Sequence, residues 1–270
     1  MKRILKGDEP GSLQAFRAAQ PQATWEELRD DALHCGKQAY ADIRTQTHQD
    51  QYGLCAYCEI DIRDNNPLKS RIEHFHPKSD TGSATNWALD WPNMMAVCAG
   101  GSFRHGEAPH TLEALDQNLS CDAHKDRMIQ QGQLPESCEG WVLNPLGLPA
   151  RPSLFTLNKF DGSLSPDATA CATAAPLPDN RHISVAELVQ HTIDMLNLNC
   201  ERLRQARLQV IWDIERNKKR QRDANIPASQ ALPRLAQRYF RTRWPQFFTT
   251  ISLCLGTAAE AHLQAVHYQG

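Results

Sequence analysis

Two cysteines on a knuckle, Cys55-Ala56-Tyr57-Cys58, restrict this chain more than anything else in its sequence. A C-x-x-C turn presents two thiolates with the spacing of half a tetrahedral metal site, and such a site can organise a segment that has little apolar core. The other half requires two soft ligands downstream. Cys98 and Cys121 are the natural pair, with Cys138 as the substitute for either; Cys35, Cys171, Cys200 and Cys254 stand in helical or loop contexts and read as ordinary thiols. The opening MKRILKGDEP has no apolar run of signal-peptide length, and no stretch reads as a membrane span. A reducing cytoplasm is therefore the expected location, and the nine cysteines are expected as thiols or metal ligands rather than disulfides.

Chemistry-bearing residues fall between and beside these cysteines. Ile72-Glu73-His74-Phe75-His76-Pro77-Lys78 alternates in a way that predicts a short strand ended by Pro77. Trp91-Pro92-Asn93 opens a second apolar strand, Met94-Met95-Ala96-Val97, which runs into Cys98. Cys121-Asp122-Ala123-His124-Lys125 opens a helix that can end near Gly132. The loop before it contains Gly100-Gly101, Arg104, His105 and His110.

The rest of the chain predicts an α+β protein that is mostly helical, in four parts. Residues 1–51 form an arm and helices: Thr24 and Glu27 make a capping box, and a further helix covers about Asp30 to Asp50 with Leu33, Tyr40 and Ile43 inward. Residues 52–132 form a small metal-organised unit. Residues 133–183 are a loop-rich connector, with Trp141-Val142-Leu143 and Ser153 to Leu157 as strand candidates. Residues 184–270 form a helical region. There Ser184 and Glu187 cap a helix carrying Val185, Leu188, Val189, Ile193 and Leu196 inward, and Asn197 to Asn199 break it. A second helix follows with Leu203, Leu208, Ile211, Trp212 and Ile214 inward and Arg202, Arg204, Arg207, Arg216, Lys218, Lys219, Arg220 and Arg222 outward; another spans about Ala231 to Thr242.

A net charge of −2 conceals an asymmetry. Residues 1–150 carry 14 Lys+Arg against 21 Asp+Glu, net −7, whereas residues 201–270 carry 12 against 5, net +7. The half with the metal motifs is acidic, so phosphate contacts are expected from the basic half, with Lys78 and Lys125 as local additions.

The ordered set of C-x-x-C, acid-His-x-x-Pro, Asn before an apolar strand and Cys, then Cys-x-x-x-Lys resembles the zinc-stabilised HNH nucleases with a ββα-metal core. More narrowly, CAYCE, IEHFHPKS, the Trp-Pro-Asn segment and CDAHK are similar to the PtuB family, the HNH component of Septu-type anti-phage systems that also occur attached to retrons. MKRILKGDEP and LNLNCERLRQAR share that likeness, which therefore spans most of the chain. The resemblance implies His74 as general base. It implies Glu73 and Asp122 as ligands of a catalytic Mg²⁺ or Mn²⁺, with His124 a rival to Asp122. Asn93 is the middle letter that orients the base or assists the metal. It implies Cys55, Cys58, Cys98 and Cys121 as the ligands of a structural Zn²⁺. Two carboxylates suit a hard cation, in keeping with that assignment. His76 stands where an Arg is more typical, and Cys98 and Cys121 are farther apart than usual. The implied partners are a nucleic acid, a PtuA-type ABC/SMC-like ATPase, since this chain has no G-x-x-x-x-G-K-[ST] loop, and a retron reverse transcriptase with its RNA–DNA product. DNA cleavage leads; RNA cleavage and a non-catalytic zinc-shaped adaptor are the rivals, the adaptor having no use for Glu73, His74 and Asn93 in order.

Overall fold

A computed structural model describes residues 1–64, 66, 68–102, 116–177, 179–241 and 244–270. Arg104, His105, His110 and Thr242 lie outside the described residues. The described architecture is α+β and mostly helical. Three N-terminal helices, α1 (Gly11–Ala19), α2 (Trp25–Asp30) and α3 (Gly36–Asp50), precede an antiparallel pair of strands, β1 (Ser70–His74) and β2 (Met94–Cys98). Helix α4 (Cys121–Gln130) packs on β2. A second antiparallel pair, β3 (Phe155–Leu157) and β4 (Leu164–Pro166), leads through α5 (Ala168–Thr173) to α6 (Val185–Met195). The chain then continues as α7 (Glu201–Asp223), α8 (Ala228–Tyr239), α9 (Phe248–Leu255) and α10 (Thr257–Ala265). None of the described helices is long and apolar enough to cross a membrane.

The α2 start follows from its capping box: the Glu27 N–H donates to Thr24 Oγ1 at 3.2 Å and the Thr24 N–H to the Glu27 carboxylate at 2.7 Å. The single helix expected over Asp30–Asp50 is interrupted at residues 31–35. There the Asp31 carboxylate accepts the N–H groups of His34 and Gly36, at 2.7 and 2.9 Å, and so takes over the start of α3. A Cβ on Gly36 would lie 2.3 Å from the Leu28 carbonyl, so glycine permits this crossing of α2 and α3. Leu33, expected inside, is 87 % exposed on the bend. Leu13, Phe16, Trp25, Leu28 and Ile43 form a core with Leu89, Trp91 and Met94, which fastens the N-terminal helices to the start of β2.

Strand β2 is buried throughout, as its unbroken apolar run requires. On its outer edge, Gln51 Nε2 donates to the Ala96 carbonyl at 2.6 Å and Gln51 Oε1 accepts the Ala96 N–H at 2.8 Å, while the Ala56 N–H of the knuckle donates to the same carbonyl at 3.0 Å. A second core runs from the cysteine knuckle through the connector to α6 and the start of α7, and a third joins α7 to α10. Trp141-Val142-Leu143 does not form a strand; Val142 makes only an isolated bridge with Glu139, and Leu143 donates its N–H to Thr192 Oγ1 at 2.8 Å. Ser184 caps α6 by accepting the Glu187 N–H at 3.1 Å, while the Glu187 carboxylate accepts from Ile183. On α7 the expected outward residues Arg202 and Arg207 are buried and the expected inward Trp212 is half exposed.

Candidate active site

The sulfur cluster is built by three segments. A backbone turn in which Cys55 N–H donates to the Ile60 carbonyl and Glu59 N–H to the Cys55 carbonyl, both at 3.0 Å, folds the knuckle. Cys98 ends β2, and Cys121 opens α4. The long separation between these two closes at Gly100, whose φ of +63° and approach to the Ser120 carbonyl leave no room for a Cβ, which would sit 2.3 Å away. All four Sγ atoms lie within 4.8 Å of one another and are buried. The Cys55–Cys121 and Cys58–Cys98 separations are 3.9 and 3.7 Å. Tetrahedral zinc with Zn–S bonds of about 2.3 Å needs S···S edges of about 3.8 Å, so the cluster fits a structural metal. The N–H groups of Cys98 and Gly100 donate to Cys55 and Cys98 sulfurs, each at 3.3 Å. Burial pushes the Cys55 thiol up, but hydrogen bonds from Cys121, Cys58 and Cys98 outweigh it and hold Cys55 well below the usual thiol range; burial drives Cys58 and Cys121 well above it. Cys138 is not in the cluster: its thiol donates to the Phe75 carbonyl at 3.3 Å.

Beside this cluster β1 and α4 line a cavity of about 280 Å³ walled by Trp25, Glu73, His74, Lys78, Asp122, Lys125, Asp126 and Glu136 among others. His74 ends β1, its ring edge-on to Trp25 with centroids 4.6 Å apart and its Nε2 3.2 Å from the Ala88 carbonyl. A carbonyl can only accept, so Nε2 carries the proton and Nδ1 keeps its lone pair. Burial lowers the His74 pKa to about 4, which leaves the ring neutral and basic at neutral pH.

Glu73, one residue earlier, is buried and accepts from the Lys125 ammonium and, at 3.1 Å, from Tyr57 OH. Burial drives Glu73 well above the usual carboxylate range; Lys125 opposes this rise and the neighbouring Asp122 adds to it. Asp122, on the first turn of α4, is buried and 3.3 Å from the Arg71 guanidinium. Burial works against the Lys125 charge, but Glu73 outweighs it and holds Lys125 above the usual lysine range. Among the described residues the sulfur cluster is the only group of three or more converging metal-ligating side chains. Glu73 and Asp122 are two neighbouring buried carboxylates, a donor type that could take a hard cation such as Mg²⁺.

The remaining sequence candidates fall around this centre. Asn93 accepts the His76 N–H at 2.6 Å and donates to the His76 and Trp87 carbonyls, each at 3.0 Å, so it pins the turn that follows His74. His76 lies past the strand end, clamped between Glu139 at 2.6 Å and Asp80 at 2.8 Å and tilted over Trp87. His124 turns to the Met195 carbonyl at 2.9 Å. Lys78 lines the cavity and pairs with Glu26 at 2.6 Å, whereas Lys125 is a buried wall residue. Tyr57, Arg71, Asp126 and Trp25 escaped sequence reasoning. Asp126 could have been found one turn after Asp122, and Tyr57 inside its knuckle; Trp25 is brought from α2 by tertiary packing and leaves no local signal.

The sequence is 33% identical over 244 residues to an Escherichia coli protein named "Retron Ec83 putative HNH endonuclease", a match that covers 88% of this chain and 91% of that protein. No family model matches the chain.

Proposed function

This chain belongs to the family of retron-associated HNH endonucleases, and from that premise we propose that it hydrolyses phosphodiester bonds in DNA at the cavity between β1 and α4. The observation that carries the reading is His74 held as a neutral base, Nε2–H on the Ala88 carbonyl, in the same cavity as the buried carboxylates Glu73 and Asp122. In this reading β1, β2 and α4 are the ββα unit of the nuclease. His74 takes the proton of the attacking water at Nδ1. Asn93 holds the turn at residues 76 and 87 and so keeps the end of β1, and the ring of His74, in place. Glu73 and Asp122 would hold Mg²⁺ or Mn²⁺, an ion that stabilises charge on the phosphate and on the departing oxygen. Cys55, Cys58, Cys98 and Cys121 would hold zinc, which fixes α4 against β2 and so sets Asp122 beside Glu73.

The retron context of the relative and the PtuB-like motifs support a place in an anti-phage complex, with a PtuA-type ATPase as partner and a retron reverse transcriptase with its RNA–DNA product nearby. The test is incubation of zinc-containing protein, alone and with that ATPase, with DNA and RNA in Mg²⁺ or Mn²⁺. Metal-dependent DNA cleavage that vanishes in His74→Ala is expected. Cleavage of RNA alone would overturn the DNA assignment, and no cleavage under any condition would favour the adaptor.

A further inference from the structure

Both carboxylates of the cleavage site already have cationic partners. Glu73 is engaged by Lys125, itself 4 % exposed, and Asp122 by Arg71, 3.3 Å away on the same strand as Glu73. Lys125 lies three residues after Asp122 on α4, so one helical turn supplies a carboxylate and the cation that faces the other carboxylate. Placing a divalent cation between Glu73 and Asp122 would set it against two positive groups, the Lys125 ammonium buried in the cavity wall, where like charges are poorly screened, and the more exposed Arg71 guanidinium beside Asp122. A phosphodiester entering the same cavity reverses that balance, because its oxygens can accept from an ammonium and a guanidinium.

We propose that Lys125 and Arg71 are phosphate-binding residues that change partners, resting on Glu73 and Asp122 until nucleic acid enters, so that cation and substrate bind cooperatively. This rests on the proposed nuclease reading of the site. It deepens that reading by giving Lys125 and Arg71 one role in two states: each masks a metal ligand, then contacts the scissile phosphate. No bond is made or broken in the exchange. Linkage makes it reciprocal, so the factor by which nucleic acid tightens cation binding is the factor by which the cation tightens nucleic-acid binding.

The experiment measures Mn²⁺ binding to the zinc-loaded full chain by the loss of the free-ion electron paramagnetic resonance signal. It is done with and without a DNA oligonucleotide, in a His74→Ala background so that nothing is cut. DNA is expected to tighten Mn²⁺ binding by roughly tenfold or more, within the ordinary range of coupling between sites. Lys125→Met is expected to tighten Mn²⁺ binding without DNA and to shrink the coupling. Arg71→Gln, at a side chain 42 % exposed and tolerant of change, is expected to do the same to a smaller degree even if Lys125→Met folds poorly. Equal Mn²⁺ affinity with and without DNA, or tighter coupling in both variants, would overturn the exchange. Mn²⁺ binding untouched by Glu73→Gln and Asp122→Asn would instead overturn the assignment of the cation site itself.

Discussion

At the scale of single residues, the roles proposed for two adjacent side chains on β1, Glu73 and His74, are separable by experiment. Removing the His74 ring takes away the proposed base but leaves Glu73, Asp122 and the four cysteines in place. His74→Ala is expected to keep its fold and zinc and to lose roughly a hundredfold or more of cleavage rate, measured on DNA at saturating Mn²⁺. Glu73→Ala is expected to be equally inactive at low Mn²⁺ and partly restored at high Mn²⁺, since it weakens cation binding rather than proton transfer. Restoration of both variants by Mn²⁺, or of neither, would merge the two roles. His48 on α3 yields a stability test away from the cavity. It is buried, its Nε2 lies 3.4 Å from Ser70 Oγ, and burial, aided by Arg44, lowers its pKa to about 4. Above about pH 6.5 folded and unfolded chains both carry it neutral. As the pH falls toward 4 the unfolded chain takes up a proton that the folded chain excludes, so stability is lost over that window. Urea midpoints should fall from pH 7 to pH 5, and less steeply in His48→Gln.

Among the elements, α7 shows where sequence periodicity stops. Its apolar spacing correctly indicates a helix, yet charge alone assigned Arg202 and Arg207 to the outer face. Arg207 instead is buried at the join of the β3–β4 turn and the α6–α7 break, with its guanidinium donating to the Gly162 carbonyl at 2.9 Å and to the Leu198 carbonyl. Arg202 similarly reaches Ser120 Oγ beside the sulfur cluster. A binary pattern cannot distinguish a solvated arginine from one that collects carbonyls left open by irregular backbone, because those carbonyls belong to distant residues. Arg207→Ala is therefore expected to lower stability by about 3 kcal/mol in urea unfolding, the scale for losing a buried hydrogen-bonded group. Arg216, Lys219 and Arg220 are exposed and have no ion-pair partner among the described residues. Their joint reversal to Glu should leave the urea midpoint nearly unchanged and weaken salt-dependent DNA or ATPase binding; unchanged association would leave the run only a solvated face. The same boundary separates what was legible at the site. Cys55, Cys58, Cys98 and Cys121 were readable because a soft-metal site imposes ligand type and a knuckle spacing. Trp25 was not, since α2 reaches β1 through the core made by Leu28, Ile43 and Trp91, and Arg71 was not, since its partner Asp122 lies on α4, far along the chain.

At the scale of the whole molecule, the sulfur cluster joins chain segments that otherwise share little regular structure. The knuckle, the end of β2 and the start of α4 meet there, and the Cys121 N–H donates to the Leu196 carbonyl at 2.8 Å, which ties the cluster to the end of α6. The core around it includes Tyr57, Phe75, Val97, Leu143, Leu196 and Leu203, drawn from three of the four parts of the chain. Loss of the metal would leave four buried sulfurs in mutual contact, and a structural zinc site can contribute on the order of 10 kcal/mol to folding, comparable with the whole net stability of a domain. Cys58→Ser is accordingly expected to yield insoluble or unfolded protein without zinc. Cys138→Ser is expected to remain soluble with about one zinc per chain, because residue 138 only donates to the Phe75 carbonyl and a hydroxyl can keep that bond. Metal analysis of protein purified without added metal, with circular dichroism and urea unfolding of both variants, decides between them. Folded, zinc-free Cys58→Ser would show that packing alone holds β2 and α4 together, and Asp122 would then owe its place beside Glu73 to the core rather than to the metal.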